Sequence, residues 1–171
     1  MDYADTVSLT QIYHPCQIVN STINKQNNYF TINKGLKDGL KEGLAIVSDS
    51  AIVGVVSYSS RSFSMVLPVL NLNFRASAEI ENKGYFGILN WDGKYNQEMV
   101  LSDVANYAKV ELGDTVISRG GSLYPRNIPL GLVSYIDRSP GKNYLDIRVK
   151  LFEDYSKLRF VYWIEDYQQE E

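Results

Sequence analysis

The sequence contains a single cysteine, Cys16, and a single histidine, His14, among its 171 residues. One thiol excludes an internal disulfide and any metal site built from several thiolates. One imidazole excludes every mechanism that requires two histidines. The 17 basic residues are outnumbered by 20 acidic residues, and no stretch of the chain concentrates lysine and arginine. The sequence therefore argues against nucleic-acid binding and metalloenzyme chemistry, and it favours a module that binds other molecules.

Long hydrophobic runs are also missing. The longest largely apolar stretches, residues 51–56 and 65–72, are far shorter than the roughly 20 residues that cross a bilayer. The first residues lack the basic and apolar segments of a secretory signal. Taken as a complete protein, the chain would be soluble and cytoplasmic; taken as a fragment, it leaves the location of its parent open.

Helix signals are few, and residues 5–13 are the main candidate for a short N-terminal helix. The rest of the chain contains about ten to twelve short runs rich in β-branched residues, separated by turn residues such as Asp92-Gly93. The 13 tyrosines suit half-buried strand faces. We therefore predict an all-β protein of the sandwich or barrel class.

An internal repeat divides the chain. The segment Gly54-Val55-Val56-Ser57-Tyr58 recurs 77 residues later as Gly131-Leu132-Val133-Ser134-Tyr135, and residues 42–48 are echoed 70 residues later. This order predicts two small β-barrels, residues 14–82 and residues 83–164, with an exchange of strands between them left open. Residues 165–171 are expected to form a frayed acidic tail.

No constellation of catalytic or metal-binding residues emerges from the sequence. A double barrel suggests a protease-like triad, yet His14 is the only candidate base, and Ser122 lacks the usual surrounding sequence. A Cys16–His14 pair would at most share one face of a strand. The sequence contains no pattern that matches the paired carboxylates of a glycosidase, a calcium-binding loop or a dinucleotide-binding loop. We predict no catalytic, cofactor-binding or metal residues.

The segment from Ser118 to Gly131 is the most distinctive loop. It holds apolar residues between glycines and prolines that prevent regular strand pairing. The loop either covers one end of a barrel or presents a preformed apolar surface to a partner chain. The candidate partner residues are Leu123, Tyr124, Pro125, Ile128 and Pro129. The candidate structural glycines are Gly54, Gly93, Gly113 and Gly131.

With this loop included, four stretches in order resemble the extracytoplasmic part of the MreC family of bacterial rod-shape-determining proteins, in versions typical of Bacteroidetes. The matching residues are Asn27-Asn28-Tyr29 with Gly35 and Asp38-Gly39; Ile52-Val53-Gly54 with Ser64-Met65-Val66; Gly84-Tyr85 with Trp91-Asp92-Gly93; and Gly113-Asp114-Thr115-Val116 with Tyr124-Pro125, Ile128-Pro129 and Gly131. The sequence departs from the family pattern at Tyr124, where phenylalanine is usual, and at Asn127, where glycine is usual.

The resemblance implies two six-stranded barrels related to protease barrels but without catalytic residues. It also implies a non-enzymatic periplasmic scaffold of the cell-elongation machinery, anchored to the inner membrane by a helix that precedes Met1, with residues 1–13 as the end of a coiled coil. The implied partners are a second copy in a homodimer or filament, a class B penicillin-binding protein and MreD. A cell-wall-glycan binding module and a degenerate double-barrel hydrolase are the alternatives.

Overall fold

The computed structural model describes residues 9–120 and 124–168, which form twelve strands and a 3-10 turn at Leu36–Asp38. The strands are β1 (Leu9–Ser21), β2 (Phe30–Ile32), β3 (Ala45–Val47), β4 (Ile52–Ser59), β5 (Ser64–Pro68), β6 (Ala76–Ile80), β7 (Phe86–Asn90), β8 (Glu98–Ala105), β9 (Thr115–Ser118), β10 (Pro129–Asp137), β11 (Tyr144–Leu151) and β12 (Phe160–Gln168). The predicted all-β class is confirmed. The described residues include no helix both long and apolar enough to cross a membrane.

The strands close into two antiparallel barrels of six strands each, as expected. Barrel 1 has the order β12-β1-β2-β5-β4-β3, and barrel 2 has the order β6-β7-β8-β11-β10-β9. The two orders are the same once β12 is counted as the first strand of barrel 1. The C-terminal strand therefore fills, in barrel 1, the place that β6 fills in barrel 2.

The barrels do not divide the chain at residue 82. Strand β6 lies before that boundary and belongs to barrel 2, whereas β12 comes from the far end of the chain and closes barrel 1. Barrel 1 thus combines residues 9–68 with residues 160–168. Barrel 2 is continuous from residue 76 to residue 151.

Within the described residues, strand replaces the predicted helix at residues 9–13 and the expected frayed tail at residues 165–168. Leu9–Gln17 of β1 pairs with Phe160–Gln168 of β12 in nine consecutive antiparallel partners. Residues 9–13 and 165–168 have no strong strand pattern of their own, and their cross-strand partners all come from the pairing of β1 with β12. Glu165, expected in the tail, accepts a hydrogen bond from His14 at 2.7 Å.

The internal repeat corresponds to a shared hydrogen-bond pattern. The Gly43 N–H donates to the Val56 carbonyl at 2.9 Å, and the Gly113 N–H donates to the Val133 carbonyl at 2.8 Å. Likewise Ser48 N–H donates to the Ala51 carbonyl and Ser118 N–H to the Ile128 carbonyl, both at 2.8 Å. The tight turn 48–51 of barrel 1 is therefore replaced in barrel 2 by a connection seven residues longer, the loop from Ser118 to Ile128.

Each barrel is filled by apolar side chains that have almost no contact with solvent. Barrel 1 buries Phe30, Ile32, Ile46, Ile52 and Val66; barrel 2 buries Ile80, Leu89, Met99, Leu101 and Leu130. Inward residues alternate with outward ones, as β11 shows by alternating buried and more exposed positions from Tyr144 to Leu151.

Gly54 and Gly131 occupy the same position of the repeat, and each lies against a neighbouring strand too closely for a side chain. A Cβ at Gly54 would be 2.3 Å from the Leu67 carbonyl oxygen, and one at Gly131 would be 2.1 Å from that of Lys150. Gly93 and Gly113 instead adopt left-handed backbone angles, with φ of 81° and 88°.

We expect Gly131→Ala to destabilise the protein by about 3 kcal/mol or more, because the added methyl group meets backbone that cannot move without opening the barrel. Gly84→Ala is the matched control. Gly84 has φ of 75°, and no other atom lies within 4 Å of the place that an added methyl group would occupy, so that substitution should cost only about 1–2 kcal/mol. Urea unfolding measures both. Equal losses for the two variants would contradict the steric argument.

Acid should remove part of the stability through Asp137, the last residue of β10. Hydrogen bonds from the Ser139 hydroxyl, the Ser139 N–H and Lys142 lower the pKa of Asp137 from 3.8 to about 2. Its stabilising effect is therefore complete above about pH 4 and is lost as the pH falls towards 2. Urea midpoints measured across this range should fall less steeply for Asp137→Asn than for the unmodified protein. If the urea midpoints of the two proteins fall in parallel with pH, Asp137 does not supply this acid-sensitive stability.

Candidate functional site

The loop between β9 and β10 is held at its base by one buried serine. The Ser118 hydroxyl donates to the Pro125 carbonyl and accepts the Ile128 N–H at 2.9 Å, and the Ser118 carbonyl accepts the Asn127 N–H at 3.2 Å. Asn127 has φ of 75°, a left-handed conformation that asparagine tolerates better than most residues. Asparagine can therefore stand where the family usually has glycine.

A buried carboxylate ties the middle of the loop to barrel 2. Glu79 of β6 is only 5% exposed, and its Oε1 accepts a hydrogen bond from Arg126 Nε at 2.7 Å. Most of the Arg126 side chain remains in contact with solvent. A buried carboxylate without a cationic partner would be costly, so this ion pair fixes the loop to the strand. The sequence signal for Glu79 is weak: it is a lone charge in a small-residue strand.

Tyr124 is inside the molecule, not on its surface. It is 4% exposed, and its hydroxyl donates to the Gly54 carbonyl of β4 in barrel 1. Burial, with a smaller contribution from Tyr155, raises the pKa of Tyr124 well above its ordinary value. The expectation that Tyr124 itself presents a partner surface is therefore corrected: its ring fills the space between the barrels. Leu123 lies outside the described residues.

A second tyrosine binds the same strand. Tyr155, in the connection from β11 to β12, is 3% exposed and donates its hydroxyl to the Ile52 carbonyl at 2.6 Å. In the same connection, Glu153 accepts a hydrogen bond from Ser48 Oγ at 3.2 Å. Two segments that leave barrel 2 therefore bind the outside of barrel 1 through buried or partly buried hydrogen bonds. These contacts restrict movement of one barrel against the other.

A groove of about 440 Å³ runs between the anchored loop and barrel 1. One wall is the turn 48–51 with Gln11, Tyr13 and Tyr162, and the other wall is residues 125–129. The two related connections of the repeat thus face each other across this inter-barrel groove. The neighbouring carboxylate of Asp49 raises the pKa of the Tyr162 phenol.

Three of the sequence-predicted partner residues lie together in this groove. Pro125, Ile128 and Pro129 are half-buried and line one wall. Arg126 and Asn127 stand exposed between them. Because Ser118 and Glu79 hold this segment in place, the groove presents a preformed surface of mixed apolar and polar character. The sequence did not reveal that the wall opposite comes from residues 47–51.

The groups considered for catalysis are engaged in packing. His14 stacks on Trp163 with ring centroids 4.0 Å apart, and its Nε2 is 2.7 Å from Glu165. Burial raises the pKa of the Cys16 thiol to about 12, so at neutral pH it is not the thiolate that nucleophilic chemistry needs. Within residues 9–120 and 124–168, no group of three or more His, Cys, Asp or Glu side chains is arranged to hold a metal ion. Ser122 lies outside the described residues.

We expect Tyr124→Phe to cost about 1–2 kcal/mol of stability, because it removes the hydroxyl that donates to Gly54. Tyr124→Ala should cost about 3–5 kcal/mol, because it also leaves a cavity between the barrels. The control is Tyr107→Ala, since Tyr107 is 77% exposed and its truncation should change stability by less than about 0.5 kcal/mol. Thermal unfolding measures all three. A Tyr124→Ala variant as stable as the control would show that the ring is not a structural anchor.

The sequence matches the family described as rod shape-determining protein MreC, barrel core, over residues 18–165. It is 26% identical over 131 residues to the cell shape-determining protein MreC of Cereibacter sphaeroides, covering 76% of this chain and 41% of that protein. It is 20% identical over 146 residues to MreC of Escherichia coli K12, covering 85% of this chain and 40% of that protein. The chain thus spans about two fifths of the length of the curated relatives it matches.

Solved structures share the double-barrel fold. MreC from Pseudomonas aeruginosa superimposes with a TM-score of 0.81 at 20% identity, covering 90% of this chain and 98% of that one. A chain in the complex between penicillin-binding protein PBP2 and MreC from Helicobacter pylori superimposes with a TM-score of 0.73 at 18% identity, covering 92% and 99%. The resemblance inferred from four short stretches is confirmed: because the family match extends over residues 18–165, the chain belongs to the MreC family of rod shape-determining proteins.

Proposed function

We propose that this chain is the barrel part of a non-enzymatic periplasmic scaffold of the cell-elongation machinery, in a parent protein anchored to the inner membrane. In this role it associates with further copies of itself and binds a class B penicillin-binding protein and MreD. The observation that carries the proposal is the fold shared with a chain in the complex between PBP2 and MreC from Helicobacter pylori. The family membership supports the role in determining cell shape.

The side chains considered for catalysis favour the same proposal. The ring of His14 is stacked on Trp163 and paired with Glu165, and the thiol of Cys16 is buried beside the Val161 carbonyl at 3.6 Å. Both groups contribute to the pairing of β1 with β12. Their positions are explained by the closure of barrel 1 without any catalytic role.

We further propose that the inter-barrel groove takes part in binding the synthase. Its wall of Pro125, Ile128 and Pro129 is rigid, because prolines fix backbone angles and because Ser118 and Glu79 anchor the segment. A rigid surface loses little conformational entropy when a partner binds. Tyr124 supports this surface from beneath through its bond to Gly54, which gives it a positioning role without partner contact.

The double variant Pro125→Ser/Ile128→Ser should weaken binding of the class B penicillin-binding protein from the same bacterium by about tenfold, because apolar contact area is lost at the groove wall. The matched control is Leu112→Ser/Pro140→Ser, which removes an exposed aliphatic residue and an exposed proline on barrel 2. Purified proteins and surface plasmon resonance measure the affinity, and thermal unfolding checks that both variants remain folded.

Three outcomes would contradict these proposals. If both double variants lose the same affinity for the synthase, or if neither loses any, the groove is not part of the binding surface. Failure of the unmodified chain to bind the synthase, together with binding to purified sacculi, would favour the cell-wall-glycan module. Hydrolysis of peptides or cell-wall fragments that is lost in a His14→Ala variant would favour a degenerate hydrolase and overturn the scaffold proposal.

A further inference from the structure

One end of barrel 1 combines exposed apolar side chains with several cations. It is formed by the 3-10 turn after β2 and by the connection between β4 and β5. We call it the basic-apolar end and define it by Lys34, Leu36, Lys37, Lys41, Tyr58, Arg61, Phe63 and Met65. It is separate from the inter-barrel groove, whose lining includes none of these residues.

Backbone contacts join the two connections into one platform. The Leu36 N–H donates to the Ser60 carbonyl at 2.8 Å, and the Lys37 N–H donates to the Arg61 carbonyl at 3.1 Å. Gly35 packs so tightly here that a Cβ would lie 2.3 Å from the Ser60 carbonyl oxygen. Leu36 and Phe63 are therefore presented on segments whose relative position is fixed.

The apolar side chains of this end are in solvent. Leu36 is 57% exposed, Phe63 is 50% exposed and Tyr58 is 65% exposed. Tyr58 and Met65 are cross-strand partners in the β4–β5 pair, so their side chains lie next to each other on the outer wall. Scattered exposed apolar residues are common, but these four come from a single hairpin and the turn bonded to it.

The charge of this end is opposite to that of the chain as a whole. The formal net charge of the chain is −3, yet Lys34, Lys37 and Lys41 lie within one stretch of eight residues, and the Lys37 N–H bonds to the carbonyl of Arg61. Among the described residues none of these four has an acidic partner within 4.0 Å, whereas Lys83, Arg126, Lys142 and Arg148 are all paired. The acidic residues here are Glu42, which is exposed, and Asp38, whose Oδ2 accepts the Gly35 N–H at 3.0 Å.

We propose that the basic-apolar end docks on the surface of an anionic lipid bilayer. Leucine, phenylalanine and tyrosine would enter the headgroup region, and the surrounding lysine and arginine side chains would bind lipid phosphates. A protein partner is a poorer match, because the centres of protein interfaces are depleted in lysine, and here lysines directly flank the apolar residues. Docking of this kind would hold barrel 1 against a membrane surface independently of which synthase the groove binds.

The test is binding of the full chain to vesicles at low ionic strength. Vesicles of phosphatidylglycerol and phosphatidylcholine in equal parts should bind the chain, and vesicles of phosphatidylcholine alone should bind it far less. Leu36→Ser/Phe63→Ser should weaken binding to the anionic vesicles by about tenfold. Lys37→Glu/Arg61→Glu should weaken it by at least as much, and added salt should reduce binding of the unmodified chain.

The control is Leu112→Ser/Phe152→Ser, which removes the same two side-chain types from barrel 2 at positions that are 68% and 45% exposed. It should bind vesicles as the unmodified chain does, and all variants should keep the same thermal midpoint. The proposal is overturned if the unmodified chain does not bind anionic vesicles or binds neutral vesicles equally well. It is also overturned if the control loses as much vesicle binding as Leu36→Ser/Phe63→Ser. Loss of synthase binding by Leu36→Ser/Phe63→Ser with unchanged vesicle binding would make this end a protein-docking surface and would also overturn it.

Discussion

The structure depends on the pairing of β1 with β12. Nine antiparallel partners join the first described strand to the last, and without β12 the edges of β1 and β3 in barrel 1 would both be open. The contact stacks His14 on Trp163 and buries Cys16 against Val161. Because β12 reaches barrel 1 through the connection that carries Tyr155, the same closure places Tyr155 on β4. Closure of barrel 1 therefore brings one of the barrel-to-barrel contacts with it, and the two paired strands also supply Gln11, Tyr13 and Tyr162 to the inter-barrel groove.

Much of this architecture could be predicted from the sequence. The repeat of Gly54 at Gly131 reflects a real equivalence, because both glycines lie against the carbonyl of a neighbouring strand. Among the described residues, the sequence misled at residues 9–13 and 165–168, whose strand character comes from the pairing of β1 with β12 and not from local pattern. Domain limits were misplaced for the same reason: a strand exchanged between distant parts of the chain leaves no periodic signal. The family's motifs, in contrast, lie mostly at turns and at places where a glycine packs against the backbone of a neighbouring strand. Short sequence patterns can encode both features.

The candidate site was predictable only in part. The loop rich in proline and glycine was recognisable, and Pro125, Ile128 and Pro129 do line a groove. The sequence could not show that Tyr124, unlike these three residues, is buried. A tyrosine ring suits an interface, and it equally suits a core in which a backbone carbonyl can accept its hydroxyl. The opposite wall, the partner of Glu79 and the approach of Arg61 to the lysines of the basic-apolar end are products of tertiary folding. Each of these features combines residues that are distant in the sequence and form no recognisable pattern there.

The two ends of the described chain lie side by side, since Leu9 is the cross-strand partner of Gln168. A short hairpin turn between them would make β12 and β1 consecutive, and new termini could then be opened between β5 and β6. In such a circular permutant each barrel would be encoded by one uninterrupted segment, in the same strand order. The natural order instead leaves the first barrel incomplete until the last strand is available, so barrel 1 closes only after all of barrel 2 has been synthesised. The two barrels thus share one strand order, but the chain enters barrel 1 one strand later than it enters barrel 2.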